Sequence, residues 1–436
     1  MLPTLRNRSF VALVSLAGAL ALGGCGGEGK RLESAEENGD TGQTTEKGKK
    51  GTKAGEASAP AIPARPVKKD LRVATYNAGL AVGVLKYADE RASMVAQSLA
   101  QEDVDLLCVQ EFWLEDHWRM LVKATEKKLP STHRLPPEKM GGKCDEAEVA
   151  PLASCAVASC KQAAAHEIAM CLLGSCGGEL TKISAECFQC LAANPRGKPE
   201  EIVRACVAPP QKAAPAGSRG GASARGGTEA FRVYSGSTGT GILTNAEILE
   251  RDALPLPSVL DRRAVLYARL ATPIGELHAF CTHLTANLAG VPHPGKASWR
   301  RDQSAQIDAL LAFVEKKAAG RPALILGDLN TGPAIAPAIS PSLPDHYARL
   351  VQSGFLNPYA AQRDVQCTYC FDNPLEGGRG TRGVLIDHVL LRNFEGQVLT
   401  GAQIMRPLVT VQPAGKPVRI GLSDHYGVSV TLSSGS

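Results

Sequence analysis

Six short apolar segments of this chain end in polar or ionisable side chains, and this pattern limits the possible folds more than any other feature. Segments such as those from Leu106 to Val109 and from Ala323 to Leu326 have the length and apolar content of buried β-strands. An unpaired carboxylate or imidazole destabilises a buried strand, so we expect the strand ends to converge on one polar site. The polar positions are Asn77, Glu111, His283, Asp328 with Asn330, Asp387, and Asp424 with His425.

Helical patterns lie beside these strands. One helix is predicted from Glu90 to Gln101 and a second from Trp299 to Ala319, each with apolar residues on one face. Runs of strands with flanking helices, rather than strict alternation, favour an α/β fold with two packed β-sheets and helices outside. The other predicted strands run from Leu71 to Tyr76, Phe231 to Tyr234, Thr240 to Leu243, Ala264 to Leu270, Glu276 to Thr282, Val384 to Leu391 and Gly427 to Leu432.

The N-terminal residues 1–25 have the pattern of a signal peptide. Two arginines precede an apolar run that ends in Gly23-Gly24-Cys25, and the run is shorter than the 20 or so residues of a membrane-spanning helix. The end of the run resembles the lipobox of bacterial lipoproteins, and the alternative is a plain secretory signal. The resemblance implies an exported protein anchored to a membrane through lipidated Cys25, and Gly26 favours the outer membrane or cell surface.

Three further regions follow the signal peptide. Residues 26–69 are rich in Gly, Lys, Glu and Ser and predict a disordered tether. The catalytic domain is predicted over 70–434, interrupted by a cysteine-rich insertion and Gly-rich linker at 140–227. The repeated 16-residue spacing of cysteines in the insertion predicts helices joined in pairs by disulfides. Disulfides are favoured over zinc because the protein is exported and paired histidines are lacking, but the connectivity stays open.

The remaining cysteines give separate expectations. Cys108 and Cys281 lie in apolar strands and are predicted to be buried free thiols. Cys367 and Cys370 are predicted to form a local disulfide. Setting aside Cys25, Cys108 and Cys281 from the 13 cysteines leaves an even number, which is consistent with five bridges.

Charge gives little information about partners. The 48 basic and 43 acidic side chains leave a net charge of +5, which is too small and too dispersed to indicate nucleic-acid binding by itself. A content of 44% hydrophobic and 21% charged residues is that of a globular protein with a full core, and it excludes a fibrous or multi-span membrane protein.

The polar motifs occur in the order typical of the endonuclease/exonuclease/phosphatase (DNase I-like) superfamily, which the chain resembles over residues 70 to 434 outside the insertion. This resemblance implies a four-layer α/β/β/α sandwich, in which two mixed β-sheets pack together between helices, and a metal-dependent phosphoester hydrolase. The motifs are Thr75-Tyr76-Asn77, Gln110-Glu111, Thr282-His283-Leu284, Gly327-Asp328-Leu329-Asn330, Ile386-Asp387-His388 and Ser423-Asp424-His425.

The resemblance implies a metal site formed by Glu111, with Asn77 and Asp424 beside it. Their oxygen atoms suit a hard cation, so Mg²⁺ is the implied cofactor and Mn²⁺ the alternative. The ion would polarise the phosphoryl group and offset charge on the leaving oxygen.

The resemblance also implies catalytic roles for five residues. His425 matches a general base that activates water, and Asp387 matches the carboxylate that orients it. Asp328 and Asn330 would position water and phosphate oxygens, and His283 would donate to a phosphate oxygen or assist the leaving group. The alternatives for single residues are a surface ion pair for Glu111 and a satisfied core histidine for His283.

The substrate is predicted to be a phosphoester in a phospholipid or a nucleic acid. Residues 282–287 and 368–374 resemble the sphingomyelinase-like branch, which favours a sphingomyelin-type lipid, although no aromatic hairpin suited to membrane insertion is evident. A DNase-like endonuclease is the alternative, because Arg-rich loops such as those around Arg300 and Arg379 could bind phosphates. A surface protein that binds a partner through the insertion is the alternative from another class.

Overall fold

The structure is a computed structural model. It describes residues 70–137, 144–163, 168–180, 182–184, 187–188, 190–191, 196, 199–207, 233–258, 261–288, 293, 297–376 and 382–434. The predicted signal peptide, the predicted tether and the predicted lipidation site Cys25 lie outside these residues. Within them, no helix is both long and apolar enough to cross a membrane.

The secondary structure follows the sequence patterns closely in the strands that end in polar residues. In chain order the strands are β1 Asp70–Asn77, β2 Leu106–Gln110, β3 Ser131–His133, β4 Gly241–Thr244, β5 Glu247–Leu256, β6 Arg263–Thr272, β7 Gly275–His283, β8 Ala323–Asp328, β9 Ile339–Ser340, β10 Tyr369–Cys370, β11 Gly383–Val384, β12 Asp387–Arg392, β13 Gln397–Ile404, β14 Leu408–Val411, β15 Val418–Gly421 and β16 Gly427–Ser433. The helices are α1 Ala88–Gln101, α2 Glu115–Thr125, α3 Glu146–Cys160, α4 Ile168–Leu180, α5 Pro199–Cys206, α6 Trp299–Ala318 and α7 Pro344–Gln352.

Two large mixed sheets form the centre of the fold. The first has the order β13-β16-β1-β2-β4-β3 and the second the order β12-β8-β7-β6-β5, while β9 to β11 and β14 with β15 form small sheets of three and two strands. In the first sheet β1 and β2 are parallel, and β16 is antiparallel to β1. In the second sheet β7 and β8 are parallel, and β12 is antiparallel to β8.

Each sheet packs against the other sheet on one face and against helices on the other face. Successive side chains along a strand point to these two faces in turn. On β1, Leu71 and Val73 face the second sheet, whereas Ala74 and Tyr76 pack on the other side against α1 and α2. The second sheet shows the same division, with Leu266 on β6 in the core between the sheets and Tyr267 packed with α6. The fold is therefore the expected four-layer α/β/β/α sandwich.

Two predicted strands differ from the structure. The segment predicted from Val384 to Leu391 is divided into β11 and β12, so that Asp387 begins a strand instead of lying inside one. The segment predicted to end at Tyr234 has a short 3₁₀ turn over Tyr234–Gly236, where Ser235 has a left-handed backbone with φ 55°. This turn packs the Tyr234 ring on Trp113, at 5.2 Å between ring centroids.

The described part of the insertion is helical and disulfide-bonded. Cys155–Cys176 and Cys160–Cys171 join α3 to α4, and Cys144–Cys187 and Cys190–Cys206 form two further bridges. The first cysteine of α3, Cys155, pairs with the second cysteine of α4, Cys176, and the other two pair with each other. This is the order expected of two antiparallel helices. This confirms the expected pairs of stapled helices and supplies the connectivity.

The prediction that Cys108 and Cys281 are free thiols is wrong. They are fully buried as expected, but they form a disulfide that joins β2 to β7 across the interface between the two sheets. The structure thus has six bridges instead of five, including the expected local Cys367–Cys370 bridge. The error has a simple physical cause: the two cysteines are 173 residues apart, and only the packing of the sheets brings them together.

Arg196 of the insertion contacts the catalytic sandwich through charged groups. Arg196 pairs with Asp89 on α1 and donates to Asp116 on α2, at 2.7 Å. His117 Nε2 lies 2.8 Å from the same Asp89 carboxylate. Burial alone would raise the pKa of Asp89, but His117 and Arg196 hold it far below its usual range. The insertion is therefore attached to the helices that flank the first sheet.

Candidate active site

Strand direction explains why the polar strand ends meet. Asn77 ends β1 beside Gln110 at the end of the parallel strand β2, and His283 ends β7 beside Asp328 at the end of β8. Asp387 begins the antiparallel strand β12, where it pairs in register with Asp328. All these ends lie at one edge of the sandwich, and Asn77 Nδ2 donates across the two sheets to Asp328 Oδ2, at 2.9 Å.

Glu111 projects from a strained backbone position directly after β2. Its φ is 62°, a left-handed value that is costly for a residue other than glycine and is often kept at functional sites. The side chain is buried, and its Oε1 accepts a hydrogen bond from Asn77 Nδ2, at 3.2 Å. Burial raises the pKa of Glu111, and the nearby Asp424 raises it further, while His283 and His425 act in the opposite direction.

The loop before β16 carries a second buried carboxylate and an imidazole. Ser423 Oγ donates to Asp424 Oδ1 at 3.0 Å and accepts from the His425 backbone N–H at 3.1 Å, which fixes both side chains. His425 Nδ1 donates to Asp387 Oδ2, at 2.8 Å. Burial alone would lower the pKa of His425, but Asp387 and Asp424 raise it well above its usual value. This hydrogen bond is the arrangement that a general base and its orienting carboxylate would need.

Asp328 connects the two histidines at the centre of the cluster. Its Oδ2 lies 3.3 Å from His283 Nε2 and 3.9 Å from His425 Nε2. Burial would raise the pKa of Asp328, but His283, His425 and Asn77 lower it well below its usual range. Asn330, with φ 50°, donates from its backbone to Asp328 Oδ1 at 2.9 Å, so this short turn holds the carboxylate in place.

Gly327 is required by the close approach of β7 and β8. A Cβ at this position would lie 1.9 Å from the Thr282 carbonyl oxygen, and the backbone φ is 150°. Only glycine has neither of these problems. The glycine of the Gly-Asp-x-Asn motif therefore allows Asp328 to lie next to His283.

The segment before β12 packs against the catalytic pair. Thr368 Oγ1 accepts from the Asp387 backbone N–H at 3.1 Å, and the Tyr369 ring lies 5.2 Å from the His425 ring. Asn373 Nδ2 donates to the Ser423 carbonyl at 2.9 Å. His388, next to Asp387, points away from the cluster and bonds to the Thr331 carbonyl at 2.8 Å, so its contacts are structural.

Two arginines near the site were not identified from the sequence. Arg91 is fully buried on α1 and bonds only to backbone carbonyls, including those of Gly79 and Leu422. Its spacing of four and eight residues from Val95 and Leu99, on the apolar helix face, is the signal that could have revealed it. Arg263 is also buried and lies over the Trp113 ring, at 5.6 Å, with its Nε and Nη1 lacking a hydrogen-bond partner in the described part of the chain.

The cluster fits a metal ion. Among the described residues, Glu111 Oε2 is buried without a hydrogen-bond partner, and a second carboxylate, Asp424, lies close enough to raise its pKa. A buried pair of carboxylates with an unfilled acceptor suits a hard cation. Asp328, Asp387 and His425 also lie within metal-binding distance of one another, but His425 Nδ1 is already bonded to Asp387. The oxygen-only group is therefore the better metal candidate.

Comparisons with known proteins agree with this architecture. A model of the Endonuclease/Exonuclease/phosphatase family matches residues 74–425. No curated protein matches the chain in sequence.

Several solved structures are similar to the chain at low identity. Sphingomyelinase C from Streptomyces griseocarneus is 16% identical, with a TM-score of 0.48, covering 83% of this chain and 99% of that one. A beta toxin mutant from Staphylococcus aureus with bound magnesium ions is 13% identical, with a TM-score of 0.49 and coverage of 83% and 99%. An endonuclease/exonuclease/phosphatase from Beutenbergia cavernae is 16% identical, with a TM-score of 0.40 and coverage of 85% and 72%. Because these values are low, the family assignment rests on the match over residues 74–425.

Proposed function

Because this chain belongs to the endonuclease/exonuclease/phosphatase family and is a metal-dependent phosphoester hydrolase, we propose that it is a Mg²⁺-dependent phosphodiesterase. One observation carries the proposal: a buried His425–Asp387 pair and a buried carboxylate with a free acceptor, Glu111 Oε2, lie in one cluster. A base and an anionic cation site, held together, are the two elements that hydrolysis of a phosphoester by water requires.

His425 is the proposed general base. Its Nδ1 is bonded to Asp387, and its Nε2 makes no hydrogen bond within the described chain, so in the neutral form of the ring Nε2 is available to take a proton from water. Asp387 holds the ring in this tautomer and stabilises the imidazolium that forms. The Thr368 hydroxyl, which accepts from the Asp387 backbone, keeps the carboxylate in place.

The remaining polar groups bind and orient the phosphoester. The His283 imidazole lies beside Asp328 and can donate to a phosphate oxygen, while the Asn77 and Asn330 amides stabilise the positions of the carboxylates. Glu111, Asn77 and Asp424 would hold Mg²⁺, which would polarise the phosphoryl group and offset negative charge in the transition state.

A sphingomyelin-type phospholipid is the proposed substrate. The two segments that resemble the sphingomyelinase-like branch, 282–287 and 368–374, include His283 and contact His425 through the ring of Tyr369. The side chains of these segments would therefore lie close to a bound substrate. Their position at the site supports the proposal of a sphingomyelin-type lipid.

A direct assay tests the substrate. The mature protein is incubated with Mg²⁺ and either sphingomyelin vesicles or plasmid DNA, with Glu111→Gln as the inactive control. Release of phosphocholine by the wild-type protein alone is expected. Nicking of DNA while the lipid stays intact would contradict the lipid substrate and support a nuclease.

The nuclease is the second candidate because of Arg263. A buried guanidinium with two nitrogens that lack partners in the described residues, near the His283 side of the site, is suited to a phosphate of a polyanion. Arg263→Lys separates the candidates in the same assay, since it should weaken cleavage of DNA more than that of a zwitterionic lipid.

The proposed location is the surface of a membrane, through lipidated Cys25. The Gly23-Gly24-Cys25 sequence supports this proposal. Replacement Cys25→Ser should release the protein from the membrane fraction, and membrane retention of this variant would contradict the anchor.

A further inference from the structure

Arg91 is a buried cation next to the candidate metal site. Its side chain is fully buried on the apolar face of α1. Its hydrogen bonds all go to backbone carbonyls: Nε to Lys86 at 3.0 Å, Nη1 to Leu422 at 2.6 Å and Ala78 at 3.3 Å, and Nη2 to Gly79 at 2.5 Å. A buried charge is costly unless its surroundings compensate it, so this arrangement needs an explanation.

The carbonyls belong to the two segments that carry candidate metal ligands. Ala78 and Gly79 directly follow Asn77, and Leu422 lies two residues before Asp424. The planar guanidinium spans both segments with a rigid fork of donors. It therefore sets the distance between a ligand of the first sheet and a ligand of the loop before β16.

Gly79 shows how closely these segments approach. A Cβ at this position would lie 2.3 Å from Asp424 Oδ1 and 2.7 Å from Ser423 Oγ, and Gly79 has φ 56°. Its backbone N–H also donates to Asn77 Oδ1 at 3.0 Å. Gly79 thus touches both candidate ligands while its carbonyl is held by Arg91.

The positive charge of Arg91 also stabilises the arrangement of the candidate metal ligands. Burial lowers the pKa of Arg91, and Asp424, Tyr76 and Glu111 raise it in compensation. The guanidinium is therefore a fixed positive charge beside two buried carboxylates that would otherwise repel each other when no cation is bound.

We propose that Arg91 is a positioning residue that pre-forms the metal site by joining the segment after Asn77 to the segment before Asp424. The inference rests on the proposed metal-dependent function and deepens it. Arg91 itself touches neither substrate nor metal. Its loss should therefore weaken cation binding more than it slows turnover of the cation-loaded enzyme.

Binding of Mn²⁺ to the full mature chain, followed by electron paramagnetic resonance, tests this without an activity assay. Arg91→Lys keeps the charge but cannot span both segments, and we expect its Mn²⁺ dissociation constant to rise about tenfold, as for other residues that support metal ligands. The kcat at saturating Mg²⁺ should change much less. Arg392→Lys is the matched control, because Arg392 is also partly buried and pairs with Glu315 on α6, outside the site. It should bind Mn²⁺ normally.

The outcomes separate this inference from the proposed function. Wild-type protein that binds no Mn²⁺ would contradict the metal-dependent function itself. Normal Mn²⁺ binding by Arg91→Lys, or an equal loss of kcat at saturating metal, would overturn the positioning role alone. If Arg91→Lys does not fold, Arg91→Gln is measured in the same way, because its shorter planar amide cannot span both segments: unchanged Mn²⁺ affinity in that variant overturns the proposal.

Discussion

His425 is held by a carboxylate on another strand and by a hydroxyl in its own loop. Asp387 begins β12 and bonds to Nδ1, while Ser423, in the loop before β16, fixes the backbone N–H. Burial of both partners excludes water from the pair, which strengthens their electrostatic interaction. The imidazole is thus oriented by a carboxylate 38 residues away, while a neighbour two residues away holds its backbone.

Replacing this histidine should remove the proposed base and leave the fold intact. We expect His425→Gln to lower kcat by about 10²–10⁴-fold, which is the usual contribution of a general base. Steady-state kinetics at saturating Mg²⁺ measures it, and circular dichroism checks the fold. His133→Gln is the control, since His133 bonds to the Asp252 carbonyl outside the site. Equal activity of the two variants would remove His425 from the mechanism.

His388 has a different kind of effect, on stability at low pH. Burial lowers its pKa to about 4, and its Nε2 donates to the Thr331 carbonyl while Nδ1 accepts from Asn357. The unfolded chain binds a proton near pH 6.5 and the folded chain does not, so stability present above pH 6.5 is lost as the pH falls toward 4. The loss is about 3 kcal/mol for this group.

Urea unfolding at pH 7 and pH 4 measures this contribution. Between pH 7 and pH 4, the free energy of unfolding should fall in both proteins. The fall should be about 3 kcal/mol smaller in His388→Asn than in the wild-type protein. The comparison cancels the titration of other groups. An identical pH dependence in the two proteins would show that His388 does not titrate as the structure indicates.

At the scale of elements, β2 and β7 carry the active-site residues of different sheets and are joined covalently behind them. The Cys108–Cys281 bridge lies three residues before Glu111 and two before His283. Core contacts between the sheets surround it. The bridge therefore couples the position of the candidate metal ligand Glu111 to that of His283, the proposed phosphate-binding histidine.

Removing this bridge should cost more stability than removing a local one. Replacing both Cys108 and Cys281 by alanine should lower the free energy of unfolding by about 3–5 kcal/mol, because the bridge closes a long loop. The matched double variant, Cys367→Ala with Cys370→Ala, removes a bridge between cysteines that are only 3 residues apart, and it should lower the free energy of unfolding by less. Chemical denaturation under non-reducing conditions gives both values, and a larger loss for the local bridge would contradict the argument.

Elements with a strong hydrophobic periodicity were predicted from the sequence, and elements without such a periodicity were missed. The strands β1, β2, β7 and β8 and helix α6 begin or end within two residues of their predicted bounds, because each has a continuous apolar pattern. The exposed edge strands β5 and β13 were not predicted, since both faces of an edge strand carry polar residues. The break before β12 was missed because Ile386 continues the apolar pattern of Val384 and Leu385, and apolar residues resume at Val389.

At the scale of the whole molecule, a metal ion held by Glu111, Asn77 and Asp424 should join three segments of the first sheet, at the ends of β1 and β2 and before β16. A saturating cation stabilises the folded state by about 2.7 kcal/mol at one hundred times its dissociation constant. Addition of Mg²⁺ to EDTA-treated protein should therefore raise the Tm. Glu111→Gln should abolish this shift, although the variant without metal should be at least as stable as the wild-type protein, because burial penalises the charged Glu111.

Differential scanning calorimetry measures both effects. The exposed Glu126→Gln is the control and should keep the full response to Mg²⁺. A Mg²⁺-induced shift that persists in Glu111→Gln would exclude Glu111 as the principal ligand.

The hydrophobic periodicity of each segment and the order of the polar motifs can be read directly from the sequence. These two properties were enough to predict the sandwich and to name eight candidate site residues. Period and order are properties of neighbouring residues, so they can be read along the chain. Only the tertiary structure decided which distant groups touch. The hydrogen bond from Asn77 to Asp328 joins residues 251 positions apart, and the Cys108–Cys281 bridge and the Arg91 contact with Leu422 span similar distances. Such contacts depend on how the sheets and helices pack together, and this packing leaves no periodic signal in the sequence.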